Sequence, residues 1–155
     1  MRHIEKTELT IEEVLNACVS NLTNERVRNE LLDNIEMFKE HDELLEEKIN
    51  SLELYTIEQD IEISHIANAS VLKKLYSDKL SKKGQLAREL YDQILFSAPN
   101  EKCPYCNQRI ADTLDHFLPK ANFPIYSISP INLLPACTQC NKGKTNSIPE
   151  NSAEQ

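Results

Sequence analysis

Residues 103–144 read CPYCNQRIADTLDHFLPKANFPIYSISPINLLPACTQCNKGK. Two Cys-x-x-Cys pairs, Cys103/Cys106 and Cys137/Cys140, bracket this stretch and are 30 residues apart. Thiols at this spacing in a reducing compartment are typical of a zinc site, and four thiolates leave no open position for water. A redox disulfide is the alternative, but it needs one pair at the start of a helix in a βαβ unit. The spacing therefore predicts a structural zinc ion. The fifth cysteine, Cys18, lies on an apolar helix stripe and is predicted to be a core residue.

Polar residues that could take part in catalysis or metal binding lie between and just after the cysteine pairs. Asp115 and His116 are adjacent, Asn132 lies in an apolar segment, and Asn141 directly follows Cys140. Closing a metal loop over 30 residues brings His116, Asn132 and Asn141 toward one another. The short segments around Leu114 and Leu133 are expected to pair as a hairpin, with Asn141 at the start of the helix that follows Cys140.

The order of these motifs, CPYC, LDHFLPK, NLLPA and CTQCNKGK, resembles the HNH nucleases, whose active site is a ββα-metal finger. It is most similar to the zinc-bracketed subgroup, the PtuB-like nucleases of the Septu and retron-associated anti-phage systems. The resemblance covers about residues 80–146. It implies a metal-dependent endonuclease that acts on DNA in preference to RNA. The same chemistry on structured RNA, and a non-catalytic zinc-binding adaptor, are the alternatives.

The resemblance also implies a role for each polar residue. His116 would be the general base, because a neutral imidazole can take a proton from water near neutral pH. Asp115 and Asn141 would supply oxygen ligands to a catalytic divalent ion, most simply Mg²⁺. Asn132 would hold the His116 ring or its backbone in the productive orientation. Lys120, Lys142 and Lys144 lie beside this predicted site and are expected to contact phosphates of the nucleic acid.

The composition changes near Ala98. All seven prolines and four of the five cysteines follow this residue, and residues 1–98 contain no proline. We therefore predict a helical region over 1–98 and a zinc-bound nuclease module over 99–155. The fold class that follows is mostly α with a small α+β module.

The apolar periodicity of residues 1–98 is helical over most of its length. Thr10 and Glu13 form a capping-box pattern ahead of an apolar stripe. A longer helix is predicted over 24–55, with the His41-Asp42 pair as its expected interruption. Residues 57–66 fit either a helix or a strand. A further helix is predicted over 68–96, punctuated by Lys83-Gly84. His3, His41 and His65 lack partners at ligand spacing and are predicted to be surface or packing residues.

Charge is distributed unevenly along the chain. The net charge is -11 over residues 1–68, +3 over 69–97 and zero over 98–155, for a total of -8. An acidic helical region repels phosphates, so we expect residues 1–68 to bind a protein rather than nucleic acid. The resemblance to the PtuB-like nucleases implies that this partner is an ABC/SMC-type ATPase. A solvated helix face is the alternative interpretation. The basic residues of 69–97 fit either phosphate contacts or a solvated face; they are Lys73, Lys74, Lys79, Lys82, Lys83 and Arg88.

Composition excludes several classes of protein. No apolar run in the 155 residues approaches membrane-spanning length, and the mean hydropathy is -0.49. The chain has two glycines, Gly84 and Gly143, which excludes the glycine-rich loops of nucleotide sites. Its first residues carry acids where a secretory signal has an apolar segment, so we expect a cytoplasmic protein. Only 15 residues follow Cys140, so we expect either a short final helix or a C-terminal part beyond Gln155.

Overall fold

The structure is a computed structural model that describes residues 6–154, so the prediction for His3 lies outside the described residues. About half of the described residues are helical, and the strands form a two-stranded sheet. This confirms the mostly helical layout with a small α+β part. The helices are α1 (Ile11–Val19), α2 (Glu25–Asp33), α3 (Ile35–Ser51), α4 (Ala69–Lys74), α5 (Arg88–Phe96) and α6 (Thr138–Lys144); the strands are β1 (Thr113–His116) and β2 (Leu133–Ala136).

The first helix begins where the capping box predicts. The Thr10 side chain accepts a hydrogen bond from the Glu13 backbone N–H at 3.3 Å, and the Glu13 carboxylate accepts one from the Thr10 N–H at 2.8 Å. Two of the four unpaired N–H groups at the helix start are thereby satisfied.

The helix predicted over 24–55 is divided at Asn34, and the prediction of an interruption at His41-Asp42 is wrong. The Asn34 side-chain amide donates to the Glu30 carbonyl at 2.8 Å, and its backbone leaves the helical region at φ -105° and ψ 21°. Asparagine competes for backbone carbonyls in this way, which favours a helix end. Helix α3 then runs through His41 and Asp42 and ends at Leu52 in the left-handed conformation.

Residues 57–66 form neither helix nor strand. After them, α4 continues into a π-helical turn, Leu75–Leu80, and a bend at Gly84 precedes α5. Gly84 has φ +84°, a conformation that glycine adopts without steric cost. The predicted helical region over 68–96 with a break at Lys83-Gly84 is therefore confirmed.

One hydrophobic core cluster spans both sides of Ala98. It contains the α1 stripe together with Leu31 and Phe38 from the first part, and Leu114, Tyr126 and Leu133 from the second. The two parts on either side of residue 98 therefore share one core. Their division into a helical region and a nuclease module stays a prediction. The apolar stripe of α1 is buried within the chain, as are Phe38 and Leu45 of α3, whereas Ile49 of α3 is exposed.

The two strands and the last helix form a ββα arrangement. Strand β1 pairs antiparallel with β2, with Thr113 opposite Ala136 and His116 opposite Leu133, which confirms the predicted hairpin pairing. Helix α6 packs against β1 and is seven residues long, as expected for a short final helix. Helix α5 covers both strands and joins them to the core. Among residues 6–154, none of the helices has the length and apolar character that a membrane span requires.

Candidate functional site

The four predicted zinc ligands lie together. The sulfur atoms of Cys103, Cys106, Cys137 and Cys140 are all within 4.8 Å of one another. A tetrahedral zinc ion about 2.3 Å from each sulfur places the sulfurs about 3.8 Å apart, so this cluster fits the ion. Backbone hydrogen bonds shape both loops, including the Cys140 N–H that points at the Cys137 sulfur at 3.5 Å.

The first cysteine loop favours a thiolate. Backbone N–H groups of Arg109 and Gln108 lower the pKa of the Cys106 thiol to about 6. Zinc binds the thiolate form, so these amides prepare the loop for metal. Cys18 is different: it is buried in the main core, and burial raises the pKa of its thiol to about 12, as befits an inert packing residue.

Asp115 lies buried in β1 and is held from two sides. The Tyr105 hydroxyl donates to Asp115 Oδ2 at 2.7 Å, and Lys144 Nζ lies 3.2 Å from the same oxygen. Tyr105 belongs to the first cysteine loop and Lys144 to α6, so the zinc loop and the last helix both orient this carboxylate. Sequence analysis missed Tyr105, and its place between the first two cysteines was the available signal.

Lys144 reaches further into the site than predicted. Its ammonium group donates to the His116 backbone carbonyl at 2.6 Å in addition to pairing with Asp115. Lys142 is exposed on the same helix and makes no side-chain contact of this kind within the described chain. The structure therefore brings Lys144 to the site and leaves Lys142 at the surface.

The His116 imidazole is neutral and has a defined tautomer. Its Nε2 lies 2.8 Å from the Ser127 carbonyl oxygen, which can only accept, so Nε2 carries the proton and Nδ1 keeps its lone pair. The residue is 9% exposed. Burial lowers the pKa of His116 to about 3, and the charges of Lys120 and Lys144 act in the same direction.

Asn132 fixes the chain that leaves β1. Its side-chain oxygen accepts from the Leu118 N–H at 2.8 Å, and its amide donates to the Leu118 and Tyr126 carbonyls at 3.0 and 3.2 Å. Its own carbonyl accepts from the Phe117 N–H at 2.9 Å. The contacts of Asn132 thus tie the backbone directly after His116 to that of Tyr126, and none of these hydrogen bonds is to the imidazole ring.

Two tyrosines from the helical region complete the surroundings of β1. The Tyr76 ring lies 4.3 Å from the His116 ring, centroid to centroid, in an edge-on arrangement. The Tyr76 hydroxyl donates to the Leu114 carbonyl at 3.4 Å, and the Tyr91 hydroxyl accepts from the Leu114 N–H at 3.2 Å. Lys120 Nζ lies 4.5 Å from the centre of the Tyr76 ring. Sequence analysis missed both tyrosines because they are remote from every motif.

His41 and His65 lie apart from this site. His41 Nδ1 lies 3.3 Å from the Tyr126 hydroxyl in the core, and His65 is exposed in the loop before α4. Both agree with the predicted packing or surface role.

The predicted ligands of a divalent ion are Asp115 and Asn141. Asn141 donates from Nδ2 to the Leu114 carbonyl at 3.2 Å, which leaves Oδ1 as its ligand atom. One carboxylate, one amide oxygen and a substrate phosphate are a donor set that suits Mg²⁺, which keeps several waters. Lys144 already pairs with Asp115, however, so a divalent ion and this ammonium group compete for one carboxylate.

Comparison with known proteins gives two relatives. The chain is 33% identical over 147 residues to protein ea31 of Escherichia phage lambda, an alignment that covers 90% of this chain and 49% of ea31. It is 38% identical over 55 residues to Septu protein PtuB of Bacillus thuringiensis, which covers 32% of this chain and 21% of PtuB. The chain thus spans about half the length of ea31. No family model matches the chain, and no solved structure matches it. What these comparisons establish is a partial similarity to a Septu defence protein, in a chain whose four clustered cysteines can hold zinc.

Proposed function

We propose that this chain is an HNH-type endonuclease that hydrolyses phosphodiester bonds of nucleic acid. The observation that carries the proposal is the buried neutral His116, whose Nδ1 lone pair is kept free by the Nε2 hydrogen bond to Ser127. Two positive side chains, Lys120 and Lys144, act on this imidazole, and Asp115 precedes it in β1. A positioned neutral base beside positive charge suits attack of water on a phosphodiester.

In this mechanism His116 Nδ1 accepts the proton of the attacking water. The Ser127 carbonyl holds the ring orientation and the tautomer, and Asn132 fixes the backbone that follows the histidine. Lys144 and Lys120 offset negative charge on the phosphate. A bound divalent ion, held by Asp115 and Asn141, would neutralise charge on the scissile phosphate and the leaving oxygen. The zinc ion at the four cysteines would act only on structure.

The biological setting is proposed from the similarity to PtuB and from charge. The chain would be the nuclease subunit of a bacterial anti-phage system, with DNA as its preferred substrate and an ABC/SMC-type ATPase as its partner. Because the apolar stripes are internal, the partner would meet exposed acids of α3, such as Glu43 and Glu47. Reversing these two charges tests the contact better than deleting residues 1–68, which would remove part of the shared core.

The test is a digestion assay with His116→Ala and a matched His65→Ala control. Duplex DNA, single-stranded DNA and total RNA are incubated with and without Mg²⁺. We expect His116→Ala to lose cleavage by at least about 100-fold while zinc content and nucleic-acid affinity stay near wild type, because a general base typically contributes 10²–10⁴-fold. His65→Ala should cleave at the wild-type rate.

The outcomes separate the alternatives. Cleavage by His116→Ala at the parental rate would refute the mechanism. Wild-type protein that binds nucleic acid and cleaves none of the substrates would favour the zinc-binding adaptor. Cleavage confined to RNA would keep the chemistry and change the substrate.

A further inference from the structure

Two half-buried lysines near His116 have no acidic partner. Six basic side chains of residues 6–154 pair with carboxylates, among them Lys39 with Glu12 and Lys48 with Glu53, both at 2.9 Å. Within residues 6–154, neither Lys73 nor Lys120 has a carboxylate at ion-pair distance. Leaving ammonium groups partly buried and unpaired is unfavourable in a protein with a net charge of -8, where acids are plentiful.

Lys120 lies over an aromatic ring of the helical segment that also carries Lys73. Lys120, which follows β1, places its Nζ 4.5 Å from the centre of the Tyr76 ring. Lys73 lies three residues before Tyr76 in the continuous α4 and π-helical segment, so their side chains share a face. Burial lowers the pKa of Lys120, and the positive charge of Lys73 lowers it in the same direction.

The same ring connects the lysines to the candidate base. Tyr76 lies 4.3 Å from the His116 ring, and its hydroxyl contacts the β1 backbone. Tyr76 therefore connects Lys120 to His116, whereas Lys144, at the His116 backbone carbonyl, belongs to a different element of the fold. A π-helical turn at this point is also notable, since such turns occur often at functional sites.

We propose that Lys73 and Lys120 form a subsite that binds one backbone phosphate of the nucleic-acid substrate, with Tyr76 as the platform that holds Lys120. An anion between the two ammonium groups removes their repulsion and supplies the missing partner. The inference rests on the proposed function for the identity of the ligand as nucleic acid. It adds Lys73 and Tyr76, from the helical region, to a site that the motifs confine to the second part of the chain.

The experiment compares two double variants of equal charge. Lys73→Ala/Lys120→Ala removes the subsite, and Lys6→Ala/Arg26→Ala removes two exposed basic side chains from the acidic region over residues 1–68. Affinity for a labelled oligonucleotide is measured by fluorescence anisotropy without added Mg²⁺, in a buffer free of chelators, between 50 and 200 mM salt, and electrophoresis confirms that the oligonucleotide stays intact. Thermal melts show that each variant is folded.

We expect the subsite variant to lower the slope of log affinity against log salt by about 0.9 on duplex DNA, or about 0.7 on a single strand, as for one lost phosphate contact. The control variant should keep the wild-type slope. Tyr76→Phe should also keep it, since the ring remains, whereas Tyr76→Leu should reproduce part of the loss.

Several results would overturn the subsite. If the two double variants lower the slope of log affinity against log salt equally, the loss reflects net charge and not a specific subsite. If inorganic phosphate binds to Lys73 and Lys120 in a titration and the subsite variant keeps the wild-type affinity for the oligonucleotide, the two lysines form a site for a small anion and not for nucleic acid. A selective loss in the subsite variant supports the inference even if the wild-type protein cleaves nothing, so its failure and that of the proposed function are distinguishable.

Discussion

Removal of the Tyr105 hydroxyl tests whether the first cysteine loop holds Asp115. Tyr105→Phe deletes a hydrogen bond of 2.7 Å to a carboxylate that is 3% exposed and leaves the ring in place. Hydrogen bonds to charged groups contribute about 1.5–3 kcal/mol, and a chain of this size shifts its Tm by about 2–4 °C per kcal/mol. We therefore expect Tyr105→Phe to lower Tm by about 3–12 °C. Lys144 remains as the other partner of Asp115, so the fold should persist.

The assay is urea unfolding and thermal melting, with zinc content measured in parallel. Tyr55→Phe is the control, because Tyr55 is 44% exposed and loss of its hydroxyl should change stability by less than about 0.5 kcal/mol. A double-mutant cycle with Asp115→Asn isolates the pair and should give a coupling of about 0.5–3 kcal/mol. A Tyr105→Phe protein as stable as the Tyr55→Phe control, or a coupling of zero, would refute the link between the zinc loop and Asp115.

Three further predictions follow from buried charge and from the metal cluster. Lys144→Met should raise the affinity for Mn²⁺ measured by calorimetry, because the competing ammonium group leaves Asp115; unchanged affinity would contradict that competition. Burial raises the pKa of Asp42 to about 7 from 3.8, so the folded state is stabilised below pH 4 and loses this contribution as the pH rises toward 7. Asp42→Asn should therefore raise Tm more at pH 8 than at pH 4, and an equal change at both pH values would argue against a buried acid. Cys137→Ser should lose zinc and expose amides of residues 99–112 and 137–144 to hydrogen exchange, while α1 stays protected in the main core; retained zinc and unchanged exchange would contradict a zinc-supported loop.

The local features of the site could be predicted because short spacing encodes them. Two Cys-x-x-Cys pairs predict a metal-binding cluster without any knowledge of the rest of the fold. The capping box at Thr10 could be predicted in the same way, because it depends on two residues that are three positions apart. The order of Asp115, His116, Asn132 and Asn141 was enough to expect the paired strands. The expectation that Asn141 starts the last helix is wrong, because α6 begins three residues earlier, at Thr138.

The remaining features depend on packing between distant segments. The contacts of Tyr76 with His116 and of Tyr105 with Asp115 join residues that no periodicity relates, so only the folded chain reveals them. The break between α2 and α3 lies at Asn34, whose side-chain amide donates a hydrogen bond to the Glu30 carbonyl. The spacing of apolar residues carries no information about such a hydrogen bond. The change in composition at Ala98 suggested separate regions, yet the apolar faces on both sides join one core.

Digestion in water enriched in ¹⁸O tests the central claim of hydrolysis most directly. A defined duplex, and separately an RNA of the same sequence, is incubated with the protein and Mg²⁺, and the new ends are analysed by mass spectrometry. Attack by a water molecule that His116 deprotonates predicts that each cleavage leaves one new end with a phosphate that contains one ¹⁸O and one new end with an unlabelled hydroxyl, and that His116→Ala forms no such ends. Intact substrates under all conditions, or new ends that form as cyclic phosphates without ¹⁸O, would contradict the account.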